Sequence, residues 1–382
     1  MLTPVLISLL AIEIAVSLLI SKWAPIMGVW KKICWIMTAV IVTFGAWIWA
    51  QPGFAPDNVY VFNTYLFLIA MITIGKMVYA IPLLVGIAIG KRALKRGHYT
   101  GIVLMCMVWL IVVYGSTLGF SRLEVKHITY ESSVLPQAFD GYKIVHFSDA
   151  HIGSFRGRKS LLKKSVDAIN AQHADLVAFT GDLQNMSYDE IEPHKHVLSS
   201  ISVRDGVVSV LGNHDYADYL GTLSPKEKSE YEENTRNVER EMGWHLLLNE
   251  HIVIRRGTDS IVVAGMENDG DGRHFKRKGD IDKTLKGVDR EQFVVMLEHD
   301  PTSWQRTILP DSRSHLTLSG HTHAMQLMLF GWSPSSLMYD EWAGLFTRNG
   351  RSIYVSKGWG AFIPFRIGAS REIVVITLKR QK

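Results

Sequence analysis

The chain has 382 residues, 47% of them hydrophobic, with 41 Lys+Arg against 36 Asp+Glu and a formal net charge of +5. The basic excess belongs to the first third: residues 1–121 hold 8 Lys+Arg and 2 Asp+Glu, leaving 33 basic and 34 acidic residues in 122–382. Charge is therefore no argument for nucleic-acid binding by the second part. Both cysteines, Cys34 and Cys106, lie in the apolar third, so the rest, about 260 residues, buries a core without cross-links.

Leu2 to Ile20, Ile33 to Ala50, Val59 to Gly90 and Ile102 to Phe120 are long apolar runs, and about 20 such residues cross a bilayer as a helix. Four transmembrane helices is the simplest count. The third run contains Gly75, Lys76 and Pro82; halves of about 15 residues would be too short to span, so one tilted or kinked helix is expected. Glu13 and Lys76 are then intramembrane charges, open to a functional reading or to snorkelling and dipole pairing. Trp23, Trp30, Trp35, Trp47, Trp49 and Trp109 sit near span ends as interfacial anchors.

Lys22, Lys31 and Lys32 fall between the first two spans, and Lys91, Arg92, Lys95 and Arg96 between the last two, whereas Gln51 to Asn58 carries only Asp57. The positive-inside rule places both basic loops in the cytoplasm, which leaves the termini and the following domain outside. The first run lacks a basic leader and a clear cleavage site, so it is expected as a retained helix. A transporter is disfavoured because the spans show no internal repeat.

Beyond this boundary the pattern changes. Arg122 to Tyr130 alternates with period two and predicts a strand, and Arg158 to Ala171 carries Leu161, Leu162, Val166 and Ile169 at helical spacing. Asp189 to Ser200 is a weaker helix candidate. Pro225 to Gly243 has the Pro start and Gly end of an exposed helix. Such β-α-β units predict an α/β domain.

Five blocks rich in metal-ligand residues follow in order: Asp149-Ala150-His151, Gly181-Asp182, Gly212-Asn213-His214-Asp215, His299 and Gly320-His321-Thr322-His323. Each comes after a β-branched apolar run that reads as a buried parallel strand: Lys143–Phe147, Leu176–Phe179, Val207–Leu211, Phe293–Leu297 and His315–Leu318. Sites in open α/β sheets form at the carboxyl ends of strands, so the five blocks would meet in space. Imidazoles and carboxylates without thiolate suit Mn, Fe or Zn, and the residues leave that choice open. Gly181, Gly212 and Gly320 precede proposed ligands where backbone must approach closely.

In these blocks the chain resembles the calcineurin-like metallophosphoesterase superfamily, whose pattern is D-x-H, G-D, G-N-H-[DE], H and G-H-x-H. His299-Asp300-Pro301, Gln326, Gly344-Leu345-Phe346 and Tyr354-Val355-Ser356-Lys357-Gly358 are similar to its exported or membrane-associated bacterial branch. Ala324-Met325 stand where that branch usually has two glycines, a difference that bears on substrate shape. The resemblance implies a four-layered α/β/β/α sandwich over 122–382, preceded by an α-helical transmembrane bundle over 1–121.

It further implies two divalent ions. Asp149, His151, Asp182 and His323 would bind one, and Asp182, Asn213, His299 and His321 the other. A hydroxide activated between them would attack a phosphate ester. His214 would act as general acid, oriented and kept protonated by Asp215. Expected substrates are phosphomonoesters, phosphodiesters or pyrophosphates, lipid-linked or cell-envelope compounds among them, since relatives include enzymes that cleave UDP-diacylglucosamine; no nucleic acid is expected. A sensor that binds phosphate without cutting it is the alternative, and degenerate ligand blocks, absent here, would favour it.

Three features stay open. The cations around Asp269 to Lys278 could receive a phosphorylated headgroup or simply face solvent. Met325 to Trp332 and Trp359 to Phe365 are unusually apolar for flanks of a metal site, reading either as a lipid-facing rim or as core. His146, His173, His194, His196, His245, His251, His274 and His315 lie outside the blocks and are expected as surface or core imidazoles.

Overall fold

The computed structural model describes residues 2–50, 59–220, 223–270 and 277–381, with side chains from residue 7 onward. Arg273, His274, Lys276 and the Gln51–Asn58 loop lie outside the described residues. The chain divides into two compact units, Met1–Leu118 and Gly119–Lys382.

The first unit contains α1 (Leu2–Trp23) and α2 (Gly28–Trp49), followed by α3 (Val59–Ile89) and α4 (Lys91–Gly119). Among the described residues α2, α3 and α4 are long and apolar enough to cross a membrane. That is three where the sequence suggests four; the first run does form the helix α1. α3 passes Pro82 as one stretch of 31 residues.

The expected basic loop between the last two spans is absent. Gly90 alone, at φ +129°, separates α3 from α4, and Lys91, Arg92, Lys95 and Arg96 lie on the opening turns of α4. Glycine makes the close hairpin feasible: a Cβ on Gly97 would stand 2.3 Å from the Pro82 carbonyl oxygen. Lys76 is buried within the unit, its Nζ 2.5 Å from Glu13 Oε1 and 3.0–3.1 Å from Ser17 Oγ, Thr38 Oγ1 and the Cys34 carbonyl. All three N–H donors are thereby occupied, the condition for keeping an ammonium in an apolar setting.

The second unit is built on two mixed six-stranded sheets. One contains β1 (Leu123–Ser132), β2 (Lys143–Phe147), β3 (Leu176–Thr180), β4 (Val207–Val210), β5 (His245–Leu246) and β12 (Arg371–Arg380), in the order β1-β12-β2-β3-β4-β5. The other contains β6 (Glu250–Arg256), β7 (Asp259–Gly265), β8 (Val294–Leu297), β9 (Leu316–Ser319), β10 (Gly344–Arg348) and β11 (Arg351–Val355), in the order β10-β11-β9-β8-β7-β6. β2, β3 and β4 are parallel neighbours, as are β8 and β9. These are the five strands the ligand blocks follow.

Alternation along the strands sorts side chains into layers. Ile144, Ala178, Val208, Val295, Leu297 and Leu316 fill the core between the sheets. Val145, Phe147 and Phe179 face α5 (Lys159–Asn170) through Leu162, Val166 and Ile169. Val294 and Met296 face Leu285, Trp304 and Ile308 on the other outside. These are the layers of an α/β/β/α sandwich. α6 (Pro225–Glu241) opens on a Ser224–Glu227 capping box, whereas Asp189–Ser200 yields only a short helix, Lys195–Leu198, after two tight turns.

The chain entering this unit is anchored at once. Phe120 is fully buried among Phe155, Arg158 and Arg371. The buried Arg371 guanidinium donates to the carbonyls of Phe120 and Ser121 at 2.8 and 3.3 Å, and its backbone N–H donates to that of Arg122.

Candidate metal centre

The carboxyl ends of β2, β3, β4, β8 and β9 converge, and their loops bring all seven proposed ligands together. His151 Nε2 lies 3.1 Å from His323 Nε2 and 3.6 Å from Asp182 Oδ2, and His323 Nε2 lies 3.2 Å from Asp149 Oδ1. On the other side His299 Nε2 is 3.1 Å from Asn213 Oδ1 and 3.3 Å from Asp182 Oδ2, while His321 Nδ1 is 2.8 Å from Asn213 Oδ1 and 3.3 Å from His299 Nε2. Asp182 Oδ2 thus belongs to both clusters. Asp182 Oδ1 accepts the His214 backbone N–H at 2.8 Å, which fixes the carboxylate's orientation.

Five of these seven spacings match what a cation imposes. Ligands about 2.1 Å from a common ion at tetrahedral or octahedral angles stand roughly 3.0–3.4 Å apart. Proton placement agrees. His151 Nδ1 faces the Gln184 carbonyl at 3.2 Å and His299 Nδ1 the Thr180 carbonyl at 2.7 Å, so each ring donates from Nδ1 and turns Nε2 to the centre. His321 is turned the other way, its Nε2 toward Tyr339 Oη at 3.3 Å and Asp300 Oδ2 at 3.5 Å, leaving Nδ1 for the centre.

Burial drives the pKa of His151 and of His323 down to about 3, so both rings are neutral donors. Burial also opposes the charged forms of His299 and Asp182. Their mutual attraction overrides it, carrying His299 well above the usual imidazole range and Asp182 well below the usual carboxylate range. His151 Nε2 and His323 Nε2 face each other at 3.1 Å beside the carboxylates of Asp149 and Asp182, and the donor set on each side of Asp182 fits a divalent cation.

The backbone is strained to make this fit. Asp149, His151, Asp182, His321 and His323 have φ of 54°, 39°, 59°, 74° and 50°, in the left-handed region that non-glycine residues avoid. Glycine supplies the close approaches: a Cβ on Gly320 would lie 1.9 Å from Ser148 Oγ, and one on Gly212 would lie 2.2 Å from Asp182 Oδ1. Ala324 and Met325, at the positions where glycines were expected, keep φ of 49° and 45°. The backbone shape that glycine favours is retained there without glycine.

His214 stands beside the clusters, a ring nitrogen within 4.8 Å of ligand atoms of His151 and Asp182. Its Nδ1 donates to the Asn185 carbonyl at 2.7 Å, and its ring stacks on Tyr219 at 4.0 Å. Burial lowers its pKa, with Asp182 pulling upward. The expectation that Asp215 orients this imidazole needs correction. Asp215 Oδ1 and Oδ2 accept the backbone N–H groups of Asp182, Leu183, Gln184 and Gly212 at 2.7–3.3 Å, because the tight turn Asn213–Asp215 folds the carboxylate back onto its own loop. Asp215 shapes the ligand loops, and the Asn185 carbonyl orients the ring.

Several site residues escaped the sequence reading. Tyr219 Oη accepts from Asn213 Nδ2 at 2.7 Å and Tyr339 braces His321, while Phe362, within the apolar flank Trp359 to Phe365, packs 5.3 Å from the His214 ring. An aromatic six residues after Asn213 was the sole local signal. The apolar flanks divide: Trp359 and Ala361 are buried core, whereas Leu329, Phe330 and Trp332 are exposed. Outside the site, His146 is a buried partner of Thr180 and His315 accepts the Val294 N–H, as expected of core imidazoles.

The family model for calcineurin-like phosphoesterases matches residues 142–325. An uncharacterized metallophosphoesterase of Bacillus subtilis (strain 168) is 30% identical over 281 residues, covering 69% of this chain and 91% of that protein. A zebrafish transmembrane protein with metallophosphoesterase domain is 29% identical over 301 residues, 76% of this chain but only 65% of its own length. The UDP-2,3-diacylglucosamine pyrophosphatase LpxG of Chlamydia trachomatis is 26% identical over 312 residues, 69% of this chain and 92% of that enzyme. Ligand spacing, layer order and likeness to these relatives lead to one conclusion: the chain belongs to the calcineurin-like metallophosphoesterases, hydrolases of phosphoric ester bonds.

Proposed function

We propose that this chain is a membrane-anchored dinuclear phosphoesterase that hydrolyses a phosphomonoester, phosphodiester or pyrophosphate bond of a lipid or cell-envelope substrate. Asp149, His151, Asp182 and His323 hold one ion, and Asp182, Asn213, His299 and His321 the other. The observation that carries this reading is Asp182 Oδ2, placed 3.6 Å from His151 Nε2 and 3.3 Å from His299 Nε2. Two divalent ions bound there supply positive charge for the phosphate oxygens and acidify water. His214, fixed through Nδ1, offers Nε2 for proton exchange with the leaving oxygen.

Apolar helices in the same chain, and the likeness to a pyrophosphatase acting on a diacylated sugar nucleotide, support a lipid-linked substrate. The cations at Lys22, Lys31 and Lys32 and at the start of α4 support a catalytic unit outside the cytoplasmic membrane. A reporter fused after Lys382 that is active only in the cytoplasm sinks that orientation.

The activity is tested with the full chain in lipid, loaded with Mn, Fe or Zn and offered aryl phosphomonoesters, aryl phosphodiesters and a lipid extract. Turnover that Asp182→Asn abolishes supports the reading. Metal-replete wild type that turns over none of them overturns it.

A further inference from the structure

We infer that the loop following the last metal ligands, Met325 to Met338, is a lip that inserts into the interfacial layer of a lipid bilayer. Eleven large apolar side chains are exposed among the described residues of Gly119–Lys382, and six of them, Met325, Leu329, Phe330, Trp332, Leu337 and Met338, fall within these fourteen residues. Phe330 is fully exposed, and Leu337 and Met338 are 78% and 68% exposed. Isolated exposed apolar residues are ordinary, but a concentration of this kind marks an interaction surface.

The lip is built, not loose. Ser333 Oγ donates to the Ala324 carbonyl at 2.6 Å, tying the two halves together. Met328 N–H donates to the Ile367 carbonyl and Ile367 N–H to that of Gln326, at 2.8 and 2.9 Å. At the tip, Leu329 and Trp332 exchange backbone hydrogen bonds around Phe330 and Gly331, whose φ are 53° and 80°. A turn with both central residues left-handed favours Asn or Gly. Phenylalanine there, fully exposed and strained, contributes nothing to the core that would offset about 1 kcal/mol of backbone cost. Its use lies outside the folded unit.

The occupant we assign is lipid. Phe, Trp, Leu and Met without a charge from Met325 to Met338 are the composition of an interfacial anchor. Only three residues, Phe120 to Arg122, connect the end of α4 to β1, a reach of roughly 10 Å. β1 runs parallel to β12 and β12 antiparallel to β2, so the chain enters this unit at the sheet end that carries the ligand loops, and a bilayer holding α4 is the large apolar phase tethered there. This inference goes beyond the hydrolytic reading and rests on it only in the activity measurement below.

The test uses the full chain in phosphatidylcholine–phosphatidylglycerol nanodiscs, with Cys106→Ser to remove the exposed thiol. A nitroxide is placed at Phe330→Cys and, as control, at the exposed Val253 by Val253→Cys. The expected result is that the label at 330 collides with oxygen at least fivefold more often, relative to a water-soluble nickel chelate, than the label at 253. Equal ratios overturn the inference, as does spin–spin broadening at 330 that vanishes on dilution with unlabelled protein, which would make a second copy the occupant. In parallel, Phe330→Ser, Trp332→Ser and Leu337→Ser combined should lower turnover of a long-chain lipid phosphate in vesicles at least tenfold while aryl phosphate turnover is unchanged. An equal fall on both substrates counts against the lip. If wild type cleaves neither, the hydrolytic reading fails and the label decides the lip alone.

Discussion

Asn213 and Tyr219 form a fixed pair: the amide Nδ2 donates to the phenol oxygen at 2.7 Å, which turns Asn213 Oδ1 toward His299 and His321. A free asparagine could present either end of its amide, so Tyr219 decides which atom faces the second ion. Tyr219→Phe keeps the ring that stacks on His214 and removes this bond. Affinity for one of the two ions should fall about 10–100-fold. Metal titration with elemental analysis should then show one weakened site per chain and one unchanged.

His214 and Asp215 are sequence neighbours with different work, and their variants should separate. His214→Ala should retain both ions and lose roughly 10²–10⁴ in turnover. Asp215→Asn leaves four backbone N–H groups with a weaker partner, so melting temperature and metal affinity should both drop. An Asp215→Asn protein with wild-type stability and only an altered pH–rate profile would restore the imidazole-orienting role.

Glu239 on α6 is buried with Ser209 Oγ donating to it, and burial, aided by Asp215, holds its pKa well above 4.5. Folding therefore takes up a proton there. The stability this contributes is complete below the unfolded pKa and is lost as pH rises toward the folded one, at up to about 1.4 kcal/mol per pH unit. Glu239→Gln carries no such dependence. Thermal melts from about pH 5 upward should show the variant gaining on wild type as pH rises; parallel curves would contradict this.

Glu13 and Lys76 pair at 2.5 Å inside the first unit. Removing one charge strands the other, so Lys76→Met or Glu13→Gln should each destabilise by about 3–5 kcal/mol, whereas the double variant should recover most of the loss. Melting of the full chain in detergent, read as a double-mutant cycle, measures the coupling. Strict additivity would mean the contact contributes nothing.

Strands and ligand blocks were legible because their signals are local: Leu176–Phe179 is apolar throughout, as a strand buried on both faces must be, and Asp182 follows soon after. Tyr339 and the Asn185 carbonyl were not legible, since each reaches the site only through the fold and carries no spacing relation to a ligand. Asp215 was misread for a subtler reason. Adjacency to His214 suggested partnership, yet its position three after Gly212 is capping-box spacing, which points the carboxylate at backbone instead. The basic loop before α4 misled because one glycine can reverse a chain, and composition alone does not reveal how few residues a turn needs.

The anchoring of Phe120 by Arg371 sets where this protein can be cut. A truncation that starts at β1 discards the carbonyls of Phe120, Ser121 and Arg122 together with the aromatic ring beneath the guanidinium, leaving a buried cation facing an empty slot. The same hole would open next to Phe155, whose ring touches Trp359, the residue whose N–H donates to Ser148 one position before the ligand Asp149. A soluble fragment meant to preserve the metal centre has to begin no later than Phe120, at the end of the membrane helix.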